Sequence, residues 1–236
     1  SSTPEGGSRA LELLGRALEL DPDGALVMAL SAWAHAQRIM YTAPGGCADD
    51  RIRARELVRR SAVFATDDPL EITARAAVHM MLGDLDLAEA LVARALALDP
   101  GFGWAWGRSG WLQAYRGNWT TALRHFRNAL KSGPPACRAN ILAGIGGAHF
   151  GAGRYDAAAR FTERALTEQP AMQWCNRSLS VCYDRLSERD RAMRSAEAVR
   201  RYNPDITVSG IVASIPFPPE FLERLGNGLS DLGLPP

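Results

Sequence analysis

The pattern of apolar and polar positions predicts a chain of helices that pack in pairs. Between residues 220 and 232, Phe221, Leu225 and Leu229 lie four residues apart, which places them on one face of an amphipathic helix. Upstream, an alanine stands at one fixed distance before each of four prolines, and a small side chain there lets two helices cross closely. The alanines are Ala88, Ala122, Ala158 and Ala192, and the prolines are Pro100, Pro134, Pro170 and Pro204.

The same prolines mark a repeat in the chain. They recur at a nearly constant interval of about 34 residues, a period typical of helical repeat architectures. Gly83, Gly117 and Gly153 stand at the same distance before the first three prolines, and Ser187 takes that place before the fourth. Glycine ends a helix in a left-handed turn without a steric cost, and proline stops the next helix because it lacks an amide proton. Each unit is therefore predicted to be a hairpin of two helices.

The unit between residues 105 and 134 carries the residues of a known repeat. Trp106 and Gly110 fall on its first helix, and Ala122 and Phe126 fall on its second. They stand where the tetratricopeptide motif has its tryptophan, glycine, alanine and aromatic residue, so the chain resembles a tetratricopeptide repeat protein. The resemblance implies a concave surface that is lined by the first helices of successive units and binds a protein or peptide.

We therefore expect an all-α fold, an antiparallel helix-hairpin solenoid that ends in a C-terminal capping helix. Residues 1–204 are predicted to form the repeat array, and residues 205–236 the cap and tail. The first segment carries only a second-helix pattern, which leaves Leu11, Leu14 and Leu18 without a partner helix. The predicted units are a half repeat 8–22, a long repeat 23–68 with an insertion at 42–50, and repeats 69–102, 103–138, 139–172 and 173–204.

Composition and charge narrow the choice of partner. The chain has 27 basic and 26 acidic residues, so its bulk charge does not favour nucleic acid. No apolar run reaches the roughly 18 residues of a membrane span, and the amino end lacks a secretion signal.

Four cysteines are too few and too scattered for a disulfide framework, which indicates the cytoplasm. We expect the arginine-rich helix from Arg51 to about Ala65 to present a solvated face.

The histidines do not form a catalytic set in the sequence. His79 and His149 occupy the same register in their units, which favours packing between helices over catalysis. His35 and His125 have no acidic or cysteine neighbour at ligand spacing, so we expect them at the surface or rim. A deep pocket that held His79 or His149 beside a carboxylate would instead indicate an enzyme.

The cysteines do not predict a metal site either. Cys175 and Cys182 lie seven residues apart, on one helical face, but a zinc site needs two further ligands at short spacing. We expect both thiols to be buried as small apolar groups. No catalytic residue, metal or cofactor is predicted for this chain.

The tetratricopeptide resemblance also implies which residues contact a partner. Only Asn140 and Arg177 offer the chemistry of the family's carboxylate-clamp variant, so binding of a chaperone tail is not predicted. Exposed aromatic residues provide large contact areas, although the four aromatic residues of this set fit the helix core equally well. The predicted partner-binding residues are Trp104, Trp111, Asn140, Phe150, Trp174, Arg177 and Asp184.

Three functions remain open. The first is an interaction or regulatory module that binds a peptide, a partner protein or another domain of the same polypeptide. The second is a self-association module that forms a homodimer, and the third is an enzyme. The tail around 217–235 is similar to the carboxyl ends of bacterial proteins that carry tetratricopeptide arrays behind a class III adenylate cyclase or a winged-helix regulator domain. This resemblance implies the C-terminal regulatory part of a larger signalling protein.

Overall fold

A computed structural model describes residues 4–41 and 48–236. Helices account for most of the described chain, and no strand occurs in it. Two short 3₁₀ turns, Pro135–Cys137 and Gln173–Cys175, precede α8 and α10. The helices are α1 (Pro4–Leu20), α2 (Ala25–Tyr41), α3 (Ala48–Val63), α4 (Pro69–Leu82), α5 (Leu85–Leu98), α6 (Gly103–Tyr115), α7 (Trp119–Ser132), α8 (Arg138–Gly151), α9 (Tyr155–Glu168), α10 (Asn176–Arg185), α11 (Arg189–Tyr202), α12 (Val208–Ser214) and α13 (Pro219–Asp231).

The helices pack as successive hairpins. The pairs α2 and α3, α4 and α5, α6 and α7, α8 and α9, and α10 and α11 pack along their lengths. The first helices of neighbouring hairpins, from α2 to α10, also contact one another in order, and α1 packs on α2. The expectation that Leu11, Leu14 and Leu18 lack a partner helix was therefore wrong: all three are half-buried, and Leu18 packs against the apolar cluster of α2 and α3. Each hairpin therefore buries its apolar face against its neighbours. The predicted all-α helix-hairpin solenoid is confirmed.

The helix ends lie where the prolines and turn residues predict them. Helices α1, α5, α7, α9 and α11 each end two residues before a proline. Within the four full hairpins, Gly83, Gly117 and Gly153 have φ angles of 89°, 78° and 73°. Ser187 has a φ of 61°, and no other non-glycine residue in the described ranges has a positive φ. Serine thus adopts the left-handed turn in place of glycine, at a steric cost.

Small residues at the helix crossings permit very close packing. The crossing alanines 88, 122, 158 and 192 are all buried. The ring of Phe126 lies between Gly110 on α6 and Gly144 on α8. A Cβ atom added at Gly110 would lie 2.5 Å from Phe126 Cδ1, and one added at Gly144 would overlap the far end of the same ring. Phe126 therefore fixes the spacing of α6, α7 and α8.

The C-terminal helices return over the last three hairpins. Gly228 of α13 packs against Val181 of α10. Arg224 Nη1 donates to the carbonyl oxygens of Phe150 and Gly151 at the end of α8, at 2.9 Å each. The last helix is thus a cap, and it also reaches back toward earlier units.

Two histidines lie in different surroundings from those that the sequence predicts. His35 is half-buried, and its Nδ1 lies 2.6 Å from Oδ1 of the buried Asp50. His125 is also half-buried, with Nδ1 2.9 Å from Ser109 Oγ. The half-buried positions agree with the expected rim, whereas the partners were not predicted, because each partner lies on the other helix of the hairpin. Spacing within one helix does not reveal such a partner.

The insertion in the long repeat is shorter than expected. The sequence predicts a helix start at Arg51, whereas α3 begins at Ala48 and ends at Val63. Residues 42–47, which include Cys47, lie outside the described residues. Among the helices of ranges 4–41 and 48–236, none combines the length and the apolar character needed to cross a bilayer.

The left-handed turn at Gly83 can be tested by substituting two glycines with alanine, because the two substitutions should change the stability of the fold in opposite directions. A Cβ atom at Gly83 or at Gly147 would meet nothing within 4 Å, so neither substitution to alanine causes a clash. Gly83→Ala should lower the free energy of unfolding by about 1–2 kcal/mol, because alanine disfavours a positive φ. Gly147→Ala, inside α8, should raise it by up to about 1 kcal/mol, because alanine favours the helix. Urea denaturation measures both, and equal effects would contradict the assigned turn.

Three histidines predict a loss of stability in mild acid. Burial lowers the pKa of His79, His125 and His149 below the usual 6.5. The unfolded chain therefore binds more protons than the folded chain once the pH falls below about 6.5. The melting temperature should fall between pH 7 and pH 5, and His149→Gln should make that fall smaller. An unchanged pH dependence in this variant would contradict the burial of His149.

Candidate binding groove

The first helices of the hairpins carry aromatic residues that line two neighbouring cavities, which we call the groove. Trp33 of α2 and Trp104 of α6 make an edge-to-face contact with ring centroids 5.2 Å apart. Ala74 of the intervening helix α4 is fully buried against Trp104, and its small side chain lets the two tryptophans meet. The groove thus crosses unit boundaries rather than belonging to one hairpin.

An N-terminal cavity opens beside these tryptophans. Its volume is about 290 Å³, and its lining includes Trp33, Trp104, Arg108, Cys137 and Asn140. Arg108 is a buried cation, with only 9% of its surface exposed. None of the residues that line this cavity is acidic. The cavity therefore combines an aromatic wall with hydrogen-bond donors.

A smaller C-terminal cavity continues the groove. It has a volume of about 50 Å³. Arg108 and Asn140 line both cavities. Four predicted groove residues line the C-terminal cavity together with two residues from the carboxyl end. The four are Trp111, Asn140, Trp174 and Arg177, and the two are Ile215 and Phe217.

Asn140 joins the two cavities through its side chain. Its Oδ1 accepts hydrogen bonds from Arg108 Nη2 at 2.8 Å and from Trp111 Nε1 at 2.9 Å. Both donors lie on α6, whereas Asn140 lies on α8. These bonds orient the arginine and the indole, and satisfied polar contacts of this kind fix a single arrangement of the groove wall.

The segment 215–221, which we call the strap, lies across the C-terminal part of the groove. Phe217 contacts Tyr115 edge-to-face at 5.0 Å and stacks with Trp119 at 6.5 Å. Phe221 stacks on Phe217 at 3.9 Å and contacts Phe150 at 4.9 Å. The strap therefore binds the ends of α6, α7 and α8 through aromatic contacts.

Two predicted groove residues lie elsewhere. Phe150 is fully buried beneath Phe221, so of the two positions that the sequence allowed it takes the core one, because α13 folds back over it. Asp184 Oδ1 accepts from Arg189 Nη1 at 2.6 Å at the start of α11, and it lines neither groove cavity. The polar pair of Arg177 and Asp184 is thus split between the groove and a hairpin turn.

The sequence did not single out several residues that line the groove. Trp33 lies in the long repeat, whose phase departs from that of the other units. Arg108 lies between motif residues and carries no motif signal of its own, although a charge on a packed helix is unusual. Phe217 stands between prolines, and a proline-flanked aromatic residue was a usable signal of an extended contact.

The buried thiols Cys175 and Cys182 line neither groove cavity. Burial raises the pKa of Cys182 to about 12, and it raises the pKa of Cys175 further still. Both thiols therefore remain protonated and unreactive at neutral pH. In the described part of the chain, no three His, Cys, Asp or Glu side chains cluster as metal ligands.

One histidine does lie beside a carboxylate in a cavity. His79 Nδ1 is 3.3 Å from Asp84 Oδ2, and both line a cavity between α3, α4 and α5. This is the arrangement that would indicate an enzyme. The residues that line the cavity include no serine, threonine, cysteine or lysine, so the pair has no side-chain nucleophile to activate.

The middle of the chain matches a known family. Residues 108–172 match the tetratricopeptide repeat family. The tetratricopeptide match includes helices α7, α8 and α9 in full, and it contains Trp111 and Asn140. No curated protein sequence matches the chain significantly.

Solved structures share the fold at low sequence identity. The APC/C hetero-tetramer Cut9-Hcn1 gives a TM-score of 0.67 at 18% identity, over 94% of this chain and 40% of that chain. The human IFIT1 dimer with PPP-AAAA gives a TM-score of 0.68 at 16% identity, over 83% of this chain and 46% of that chain. YrrB, a TPR protein with an unusual peptide-binding site, gives a TM-score of 0.51 at 16% identity, over 75% of this chain and 92% of that chain. The likeness shows the fold, and this chain spans less than half the length of the first two chains.

The thiols give a direct test of the burial that the structure describes. In a Cys47→Ser background, a maleimide should modify Cys137, which lines the N-terminal cavity, and leave Cys175 and Cys182 unmodified. Labelling of Cys137 should be slower than that of a free thiol, because burial raises its pKa. Mass spectrometry after a short pulse identifies the modified residues. Modification of Cys175 or Cys182 under native conditions would contradict this packing.

Proposed function

We propose that the concave groove binds an apolar, aromatic-containing segment of a partner protein or of another domain of the same polypeptide. The observation that carries this proposal is the strap. The chain's own Phe217 lies against Tyr115 and Trp119, and it lines a cavity with Trp111 and Trp174. A groove that holds one aromatic segment has the surface to hold another.

The N-terminal cavity supplies the open part of this groove. Trp33 and Trp104 form its apolar wall, and Arg108 with Asn140 forms its polar end. Aromatic side chains in such a wall supply contact area at a low cost in conformational entropy. A partner segment would place an aromatic or aliphatic side chain on the tryptophans and its backbone carbonyl or carboxylate oxygens near Arg108.

The C-terminal cavity is the part of the groove that the strap already occupies, because Ile215 and Phe217 line it. A partner segment that extends beyond Asn140 must meet Ile215 and Phe217, so binding and strap release compete. This competition supports a regulatory role, because the strength of binding then depends on the state of the strap. The proposed contacts with the partner are Trp104, Trp111, Asn140, Trp174 and Arg177. Phe150 instead packs against the strap, and Asp184 binds Arg189 at the hairpin turn.

The tail sequence supports a place in a larger signalling protein. Its resemblance to bacterial proteins with a cyclase or winged-helix domain agrees with a tail that docks on its own repeats. We extend the proposal to a regulatory repeat array, with the unit boundaries predicted above and with no catalysis by this chain. The free thiols Cys137, Cys175 and Cys182 and the balanced charge support a protein partner in the cytoplasm.

Self-association is a second candidate because α1 exposes apolar side chains. Leu13 is 50% exposed and Leu20 is 88% exposed, and exposed apolar surface on one face favours contact with a second copy. Leu13→Glu should then shift the chain from dimer to monomer in sedimentation velocity. A wild-type monomer at every concentration would exclude this candidate.

The main proposal is tested with a peptide that copies the strap. A fluorescent peptide of residues 213–222 is titrated into the wild-type chain and into Phe217→Ala, with fluorescence anisotropy as the readout. Phe217→Ala should bind the peptide about fivefold more tightly, because the lost aromatic contacts of the internal strap are worth about 1 kcal/mol. Trp111→Ala in the Phe217→Ala chain should remove that gain.

A matched peptide controls for non-specific adhesion. It carries alanine at the positions of Phe217 and Phe221, and it should bind neither chain. Equal binding of both peptides, or no binding of the strap peptide to Phe217→Ala, would overturn the proposed groove function. Slower maleimide labelling of Cys137 in the presence of an N-terminally extended strap peptide would add support for the open cavity.

A further inference from the structure

We propose that a second cavity, between α3, α4 and the start of α5, binds the phosphate group of a small organic phosphate ester. The cavity has a volume of about 430 Å³, which lies within the usual range for small-molecule sites. It shares no lining residue with either groove cavity. The proposal therefore stands apart from the proposed function of the groove.

Three arginines from two helices line this cavity. Arg55 and Arg59 lie one turn apart on α3, and Arg75 lies on α4. Arg55 and Arg59 are exposed, and neither has an ion-pair or hydrogen-bond partner in the described chain. A solvated face alone would account for Arg55 and Arg59, but it does not account for Arg75, which lies on the neighbouring helix and lines the same cavity.

Arg75 is a mostly buried cation in the wall of this cavity. Its side chain is 12% exposed, and its Nε atom is buried without a hydrogen-bond partner. A buried donor without an acceptor is costly. Its Nη1 atom lies 3.4 Å from Oε1 of the buried Glu71, so the guanidinium is oriented by α4 while one of its donors remains unsatisfied.

The acidic groups near the cavity are already engaged. Asp84 is the one carboxylate among the lining residues, and it lies 3.3 Å from Nδ1 of His79. Glu71 also accepts hydrogen bonds from the backbone and hydroxyl of Thr66. The lining residues thus carry three arginines against the single carboxylate of Asp84, so the cavity keeps a net positive charge.

Phosphate fits these donors better than a carboxylate does. A phosphate monoester is close to a dianion at neutral pH, and it has enough oxygens to accept from more than one guanidinium fork. The remaining wall is apolar, with Val58, Leu82 and Leu87. An organic group on the phosphate would contact this wall, so we infer a phosphate ester with an apolar or aromatic substituent.

The experiment compares two probes at constant ionic strength. Phenyl phosphate and inorganic phosphate are titrated into the full chain by isothermal titration calorimetry. We expect phenyl phosphate to bind more tightly than inorganic phosphate. Arg55→Gln and Arg59→Gln should each weaken phenyl phosphate by about tenfold, the effect of losing one charge-assisted contact. Both side chains are exposed, so both variants should fold, and circular dichroism confirms this.

Arg51→Gln is the matched control. Arg51 lies on the same helix, is exposed and does not line the cavity, so its loss changes the net charge equally. Unchanged binding in Arg51→Gln, with weakened binding in the two cavity variants, supports the site. Equal weakening in all three variants, equal affinity for the two probes, or no binding of phenyl phosphate at millimolar concentration would overturn it.

Discussion

The groove depends on one packing contact, the ring of Phe126 held between Gly110 and Gly144. The ring occupies the space that side chains at these positions would need, so α6 and α8 can approach α7 only as closely as the ring allows. Interiors packed at this density do not yield continuously. The groove residues Trp104, Arg108 and Trp111 lie on α6, and Asn140 lies on α8. Their mutual distances therefore follow from how α6 and α8 pack against this ring.

The strap is connected to this packing through a chain of aromatic contacts. Phe126 contacts Trp111 at 5.6 Å, Trp111 contacts Tyr115 at 5.9 Å, and Tyr115 contacts Phe217 at 5.0 Å. One face of Trp111 is thus in the core, while its indole N–H is bonded to Asn140 at the groove. Trp111 thus packs in the core and also lines the C-terminal cavity, and its contact with a partner stays a prediction.

The sequence predicts the helices well and the groove only in part. The reason is that helix ends depend on neighbouring residues, whereas the groove depends on contacts between residues far apart in the chain. Helix ends follow from Pro100 or Gly83 because proline and glycine act on the backbone locally. Phe150 could not be placed from its repeat position, because its burial depends on Phe221, which lies in the last helix, far along the chain. Trp33 and Arg108 likewise gain their roles from neighbouring units, through contacts that no repeat motif encodes.

The central claim is that Phe126 sets the groove to which the strap binds, and hydrogen exchange of Phe126→Leu tests it most directly. Leucine keeps the core apolar but no longer fills the gap between the two glycines. The account predicts faster amide exchange at residues 217–225 as well as in α6 to α8, with no change in Leu98→Ala, whose side chain is exposed on α5. Faster exchange confined to α6, α7 and α8, with the strap still protected, would contradict the account.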